Sequence, residues 1–240
     1  MRTNLLTAAL LLLAGCTSHD KQSDGPSRSD SDTESEGTVY LRSRVWNNPY
    51  GGYTEYTWFY LSDDGVIVRN ARHGMNPINP EKEKEDNEKN IGTYKERQKK
   101  LFIKWEDGKR DTFDFNRDDP SELGIDGGLV TVPNAFDDDH RIKGQFAYTS
   151  FNPMLSKVNT IVFKKNGTFE LTNSTSVNVK DVTGTYGENS TSGKYKITGN
   201  TLTLKFANGN VEKSNIAYWK NDDGSLLLVI NNKTFPQEGE

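Results

Sequence analysis

Leu101-Phe102-Ile103-Lys104-Trp105, closed by Asp107-Gly108, is the stretch that decides the fold. Leu101, Ile103 and Trp105 fall on one side of an extended chain, and Phe102 and Lys104 on the other. A period of two predicts a half-buried strand. Beyond the turn, Phe113 and Phe115 alternate with Thr112 and Asp114 as a second strand. The pattern returns as Leu202-Thr203-Leu204-Lys205-Phe206 before Asn208-Gly209, then Val211 and Ile216-Ala217-Tyr218. Leu101, Ile103, Trp105, Leu202, Leu204 and Phe206 are therefore the expected core. Asp-Gly or Asn-Gly pairs end at Gly65, Gly108, Gly167, Gly209 and Gly224. Such pairs tolerate the positive φ angles of type I′ hairpin turns. No 3.6-residue apolar stripe follows the leader, so the fold class is all-β, an antiparallel meander.

Gly92-Thr93-Tyr94-Lys95 is echoed by Gly193-Lys194-Tyr195-Lys196, and the spacing of 101 residues also relates the two strands above. Further upstream, residues 59–65 correspond to residues 161–167. A period this long predicts a duplicated domain, since solenoid repeats run roughly 20–50 residues. The expected organisation is an export signal over 1–15, a lipidated cysteine and tether over 16–36, and a first β repeat over 37–136. A linker over 137–143, a second repeat over 144–236 and a tail over 237–240 complete it.

The unit is similar to a small bacterial lipocalin-like domain. The residues that carry the likeness are Gly144-Gln145-Phe146, then Ile161-Val162-Phe163-Lys164-Lys165-Asn166-Gly167-Thr168-Phe169. Gly193 to Leu204 follows, with Gly199-Asn200 at its turn; the first copy has Gln98-Lys99 there. The resemblance implies that each repeat closes, or nearly closes, a barrel, which removes exposed strand edges.

Composition sets wider bounds. Hydrophobic residues make up 32% of the 240 and charged residues 27%, with 21 glycines. A core can form, whereas a polytopic membrane protein and an Ala/Leu-rich helical bundle are excluded. The net charge of −4 supplies no clustered positive surface, so no nucleic-acid partner is expected.

Arg2 followed by an apolar stretch from Leu5 to Leu13 reads as an export signal, too short for the roughly 20 residues that span a bilayer. Leu12-Leu13-Ala14-Gly15-Cys16 resembles the bacterial lipoprotein lipobox, and Cys16 is the only cysteine. No disulfide can form within the chain. The resemblance implies acyl chains on Cys16 and, with Thr17 in place of Asp, attachment to the outer membrane. From Thr17 to Glu36 there is no aliphatic or aromatic residue, which predicts a disordered tether.

Residues 46–60 hold seven aromatics: Trp46, Tyr50, Tyr53, Tyr56, Trp58, Phe59 and Tyr60. Tyr56, Trp58 and Tyr60 share a face by alternation, which predicts core or barrel-interior packing. Tyr50 and Tyr53 flank Gly51-Gly52 in a predicted loop. With Trp46 they form a candidate ligand platform at a barrel mouth, and Tyr148 and Phe151 occupy the comparable loop of the second repeat. Two long loops are expected, a mixed-charge run at 81–86 that reads as loop or short helix, and a Ser/Thr/Asn-rich segment at 173–192.

Asp137-Asp138-Asp139-His140 reads as a solvated hinge, since no Asp-x-Asp-x-Asp-Gly run accompanies it. His19, His73 and His140 have no paired spacing, so no metal is expected. No Gly-x-Ser-x-Gly, Gly-x-x-x-x-Gly-Lys or His-Glu-x-x-His occurs, and no catalytic residue or cofactor is singled out. The expected function is a non-enzymatic outer-membrane binding module for a small apolar or amphipathic ligand or an envelope partner. A structural accessory lipoprotein with filled barrels and a carboxylate-dependent hydrolase are the alternatives.

Overall fold

The computed structural model describes residues 36–48, 51–75, 78–115, 124–125, 128–152, 155–179 and 182–239, all within one compact unit. Cys16, the expected tether up to residue 35 and Tyr50 lie outside the described residues. The first sheet comprises β1 (Gly37–Asn48), β2 (Gly51–Ser62), β3 (Val66–Arg69), β4 (Ile91–Arg97), β5 (Lys100–Trp105), β6 (Arg110–Asp114), β7 (Gly124–Ile125) and β8 (Gly128–Thr131). The second comprises β9 (Gly144–Asn152), β10 (Leu155–Phe163), β11 (Thr168–Val179), β12 (Val182–Thr198), β13 (Thr201–Phe206), β14 (Val211–Lys220), β15 (Leu226–Ile230) and β16 (Lys233–Pro236). Pairing is antiparallel in both, as the alternation requires.

The strand orders are β6-β5-β4-β3-β2-β1-β8-β7 and β16-β15-β14-β13-β12-β11-β10-β9. They are one ring opened at different places. In the second sheet Phe146 bridges to Gln237, and Glu238 N donates to Gln145 O at 2.8 Å. The meander thus returns to its first strand and nearly closes. In the first sheet β8 turns back to pair with β1, Leu41 facing Thr131, and the opening falls between β6 and β7. That sheet is a half-barrel.

Equivalent bonds recur in the two sheets. Tyr94 N donates to Gly65 O and Tyr195 N to Gly167 O, each at 2.8 Å. Trp105 N donates to Lys109 O and Phe206 N to Asn210 O, each at 2.9 Å. The Tyr94 hydroxyl reaches Ser62 O at 2.7 Å, and the Tyr195 hydroxyl reaches Lys164 O at 3.1 Å.

The expected core residues face inward. Leu101, Ile103 and Trp105 pack with Tyr40, Phe59, Leu61 and Phe115 in the first sheet. Leu202 and Leu204 pack with Phe146, Phe163, Phe169 and Tyr195 in the second, with Phe206 half-buried against them. A third apolar cluster joins the sheets. Leu41, Trp58, Tyr60, Val68, Met75 and Ile91 meet Ala217 and Val229. Trp58 and Tyr60 are therefore buried, as their alternation predicts, but on the outer face of β2 rather than in the barrel. Phe59 and Leu61 take the inner face.

Turn chemistry departs from expectation. All five predicted turn glycines have φ between +80° and +90°, but the residue before each does not. Each glycine N donates to the carbonyl three residues back, as Gly108 N does to Trp105 O. This is a type I turn followed by a left-handed glycine. The Asp or Asn has another role: the carboxylate of Asp107 and the amide oxygens of Asn166 and Asn208 each accept from the backbone N two residues on, an Asx turn. Both central residues are left-handed at Gln98 (φ 52°) and Lys99 (φ 58°), which carry no glycine at all. Pairing of Arg97 with Lys100 leaves only those two residues to reverse the chain.

Two other segments differ, and the charged run takes the short-helix form that was one of its two expected forms. Residues 173–192 are not a loop: β11 and β12 pair from Phe169 opposite Gly193 out to Val179 opposite Val182, with one bulge at Thr175/Ser176. The charged run forms α1 (Pro80–Asp86), capped by Asn79, whose side chain accepts from Lys82 N. Within it Glu83 is buried and accepts from the backbone N of Arg72 and of His73, at 2.8 and 2.7 Å. Asp137 to His140 keep exposed side chains, yet Asp139 N donates to Ile197 O, and the flanking Phe136 and Ile142 are buried in the second core. The segment is docked, because its two apolar residues fill the second barrel.

Candidate functional site

In β1 every second residue from Tyr40 points inward, which places Tyr40, Arg42, Arg44 and Trp46 on one line. Register sets Trp46 opposite Tyr53, Arg44 opposite Glu55 and Arg42 opposite Thr57. The apolar core ends at Tyr40 and Phe59, so beyond it the inner face of this hairpin is polar and aromatic.

Contacts order that face. The Trp46 indole N–H donates to Glu55 Oε2 at 2.7 Å, and the Arg44 guanidinium lies 3.9 Å from the Trp46 ring centre. A cation over an exposed indole contributes about 0.5–1 kcal/mol. Arg42 donates to Thr57 Oγ1 at 2.7 Å and pairs with Glu55 Oε1 at 3.5 Å. Glu55 thus ties a buried arginine to an exposed tryptophan. Trp46 remains 37% exposed and Tyr53 57% exposed despite these contacts. Deeper in, Arg69 lies 4.6 Å from the Trp105 ring centre and donates to Asn90 Oδ1 at 2.7 Å, while Trp105 Nε1 donates to Asp111. Burial lowers the Arg69 pKa from its ordinary value; Asp111 opposes that shift and Arg42 adds to it. The group stays cationic throughout the working range of pH.

The structure places the candidate platform residues apart. Trp46 and Tyr53 form one pair, on paired strands rather than in a loop, since β2 begins at Gly51. Tyr148 belongs to β9, again a strand, where it packs on Phe235 at 5.8 Å under Lys233 Nζ at 5.0 Å. The backbone of Phe151 lies in β9 too; its side chain, like all of Tyr50, lies outside the described residues. Arg42, Arg44 and Glu55 escaped the sequence reading. Their signal was the alternation through Tyr40-Leu41-Arg42-Ser43-Arg44-Val45-Trp46, which carries the charges onto the core side.

Among the described residues no group of three His, Cys, Asp or Glu side chains could hold a metal ion. Among the clefts on the described surface, three carry no more than one carboxylate each. One, of about 500 Å³, runs beside Phe169 and Phe206. Another, about 470 Å³, sits at the barrel closure between Gly144 and Gln237. No paired acid and base of the glycosidase kind is gathered in these clefts.

No curated protein and no solved structure matches the chain. One family model does, covering residues 143–223, from the strand that opens the second sheet into the turn after β14. Its description is Lipocalin-like domain. The match agrees with the nearly closed antiparallel barrel built on those strands, and residues 143–223 are similar to a lipocalin-like domain.

Proposed function

We propose that the chain is an exported, non-enzymatic binding module, lipidated at Cys16 and displayed from the outer membrane, made of two copies of a lipocalin-like unit. The observation that carries the binding role is the Trp46–Tyr53 pair. Large aromatics this exposed, with Trp46 held by Glu55 and Arg44 on the inner face of an open half-barrel, suit an amphipathic molecule or an envelope partner. An apolar portion lies across the rings, and a polar portion meets Arg44 and Glu55. Both barrel interiors are packed with side chains, so the ligand seat is the rim and not a deep cup. The same packing supports a second reading, an accessory lipoprotein that holds a protein partner and no small ligand.

Titration with 1-anilinonaphthalene-8-sulfonate, an amphipathic dye, tests the rim. Saturable binding weakened up to about tenfold by Tyr53→Ala or Trp46→Ala is expected, aromatic contacts of this kind being worth about 0.5–1.5 kcal/mol. Binding unchanged in both variants overturns the site. Anchoring is checked by fractionation: Cys16→Ser should move the protein out of the membrane fraction, and unaltered partition would reject acylation.

A further inference from the structure

Where the apolar seam between the two sheets reaches solvent, it gives way to a polar cleft of about 330 Å³. Trp58, Asn70, Ala71 and Arg72 line it from the first sheet and its following loop. Lys213, Asn215, Asn231 and Asn232 line it from the second. The walls are built and oriented. Asn70 and Asn231 are both left-handed, with φ of 49° and 53°. Asn70 Oδ1 accepts from Trp58 N and Asn231 Oδ1 from Asn215 N, each at 2.9 Å. Trp58 Nε1 donates across the seam to Asn231 O, and Asn215 Nδ2 to Ala71 O at 3.2 Å.

Three features remain unanswered by the protein. Asn215 is only 2% exposed, and its Oδ1 has no hydrogen-bond partner; its amide orientation is set by the bond to Ala71, so the acceptor is real. A buried acceptor left this way is costly. Lys213 makes no ion pair among the described residues, and the Arg72 guanidinium bonds only the carbonyl of Asp86. No carboxylate lines the cleft. We infer that it binds a small hydroxylated anion, of the chemical class of a sugar acid or a sugar phosphate. Arg72 and Lys213 face the acid group. The asparagine amides that line the cleft match hydroxyls, which donate and accept alike. The volume lies at the small end of ligand sites and suits one sugar.

Calorimetric titration of the full chain with glucuronate, glucose 6-phosphate, glucose and acetate tests this. Binding of either acid in the millimolar range or tighter supports the site, and which acid binds tells carboxylate from phosphate. Glucose and acetate should each bind at least about tenfold more weakly, and Lys213→Ala should weaken the acid by about tenfold while Lys213→Arg restores it. Lys213 is exposed, so both variants should melt as the parent does. Because the cleft spans both sheets, the bound acid should also raise the melting temperature. Failure of both acids to bind, equal binding of glucose, or an affinity indifferent to Lys213→Ala overturns the inference. None of these outcomes bears on the Trp46–Tyr53 rim, which the dye titration reads separately.

Discussion

The Tyr195 hydroxyl reaches the carbonyls of Ile142 at 2.8 Å and Lys164 at 3.1 Å, one proton serving both. Burial raises its pKa above the ordinary tyrosine value, outweighing the Ile142 bond and the Arg141 guanidinium, which both act the other way. A folded state that holds the proton longer than the unfolded chain loses stability as pH rises. Stability should therefore stay level below about pH 10, the unfolded value, and fall as pH climbs through the folded one. Tyr195→Phe should cost about 1–3 kcal/mol at neutral pH and flatten that alkaline decline. Urea denaturation of both proteins at neutral and alkaline pH checks it, and an identical decline in each would assign the titration elsewhere. Tyr195 was legible only through the Gly-Lys-Tyr-Lys echo, whereas Leu202 and Leu204 beside it were legible as core from alternation alone. Trp58 and Tyr60 were legible as buried but not as to where, because Trp58-Phe59-Tyr60-Leu61 is apolar on both faces and period two cannot say which face meets another sheet.

Among the strands, Gly193 of β12 lies tight against β13. A Cβ there would lie 2.1 Å from Lys205 O and 2.9 Å from the Phe169 ring, and at Gly92 one would lie 2.3 Å from Lys104 O. Gly209 is the opposite case, with open space around it but φ at +90°. Gly209→Ala should cost about 1–2 kcal/mol of backbone strain, and Gly193→Ala clearly more, since a ladder carbonyl must move. Thermal melts of the two variants decide; equal losses would mean that the ladder yields freely at Gly193. The β11–β12 hairpin was the element least visible in the sequence. From Thr172 to Ser176 it carries only Ser, Thr and Asn, so no hydrophobic alternation announces it there. Thr is nonetheless comfortable in extended chain, and continuous pairing does the rest. The turn glycines, by contrast, were all readable, although the turn type was not, since Asx bonding and left-handed φ use the same Asp and Asn residues.

At the scale of the molecule, the two sheets share a core. Met75 N donates to Thr201 Oγ1 at 2.9 Å, Asn134 bridges to Tyr218, and Ala217 and Val229 complete the apolar seam. Calorimetry should show one cooperative transition for both sheets, with the calorimetric and van't Hoff enthalpies equal. Two resolved transitions would show that the seam contributes little. This joint was hidden from sequence because it is made by outward residues of strands whose inward faces already form cores. One further consequence follows from the direction of β1. Asp63 N donates to Glu36 O at 2.9 Å, which pins the entry of the body beside the β2–β3 turn. Trp46 stands nine residues past Gly37, so it lies about 30 Å further along the strand. Under the proposed lipidation of Cys16, the aromatic pair stands at the other end of β1 from the chain's entry and greets what arrives from the surroundings rather than a bilayer.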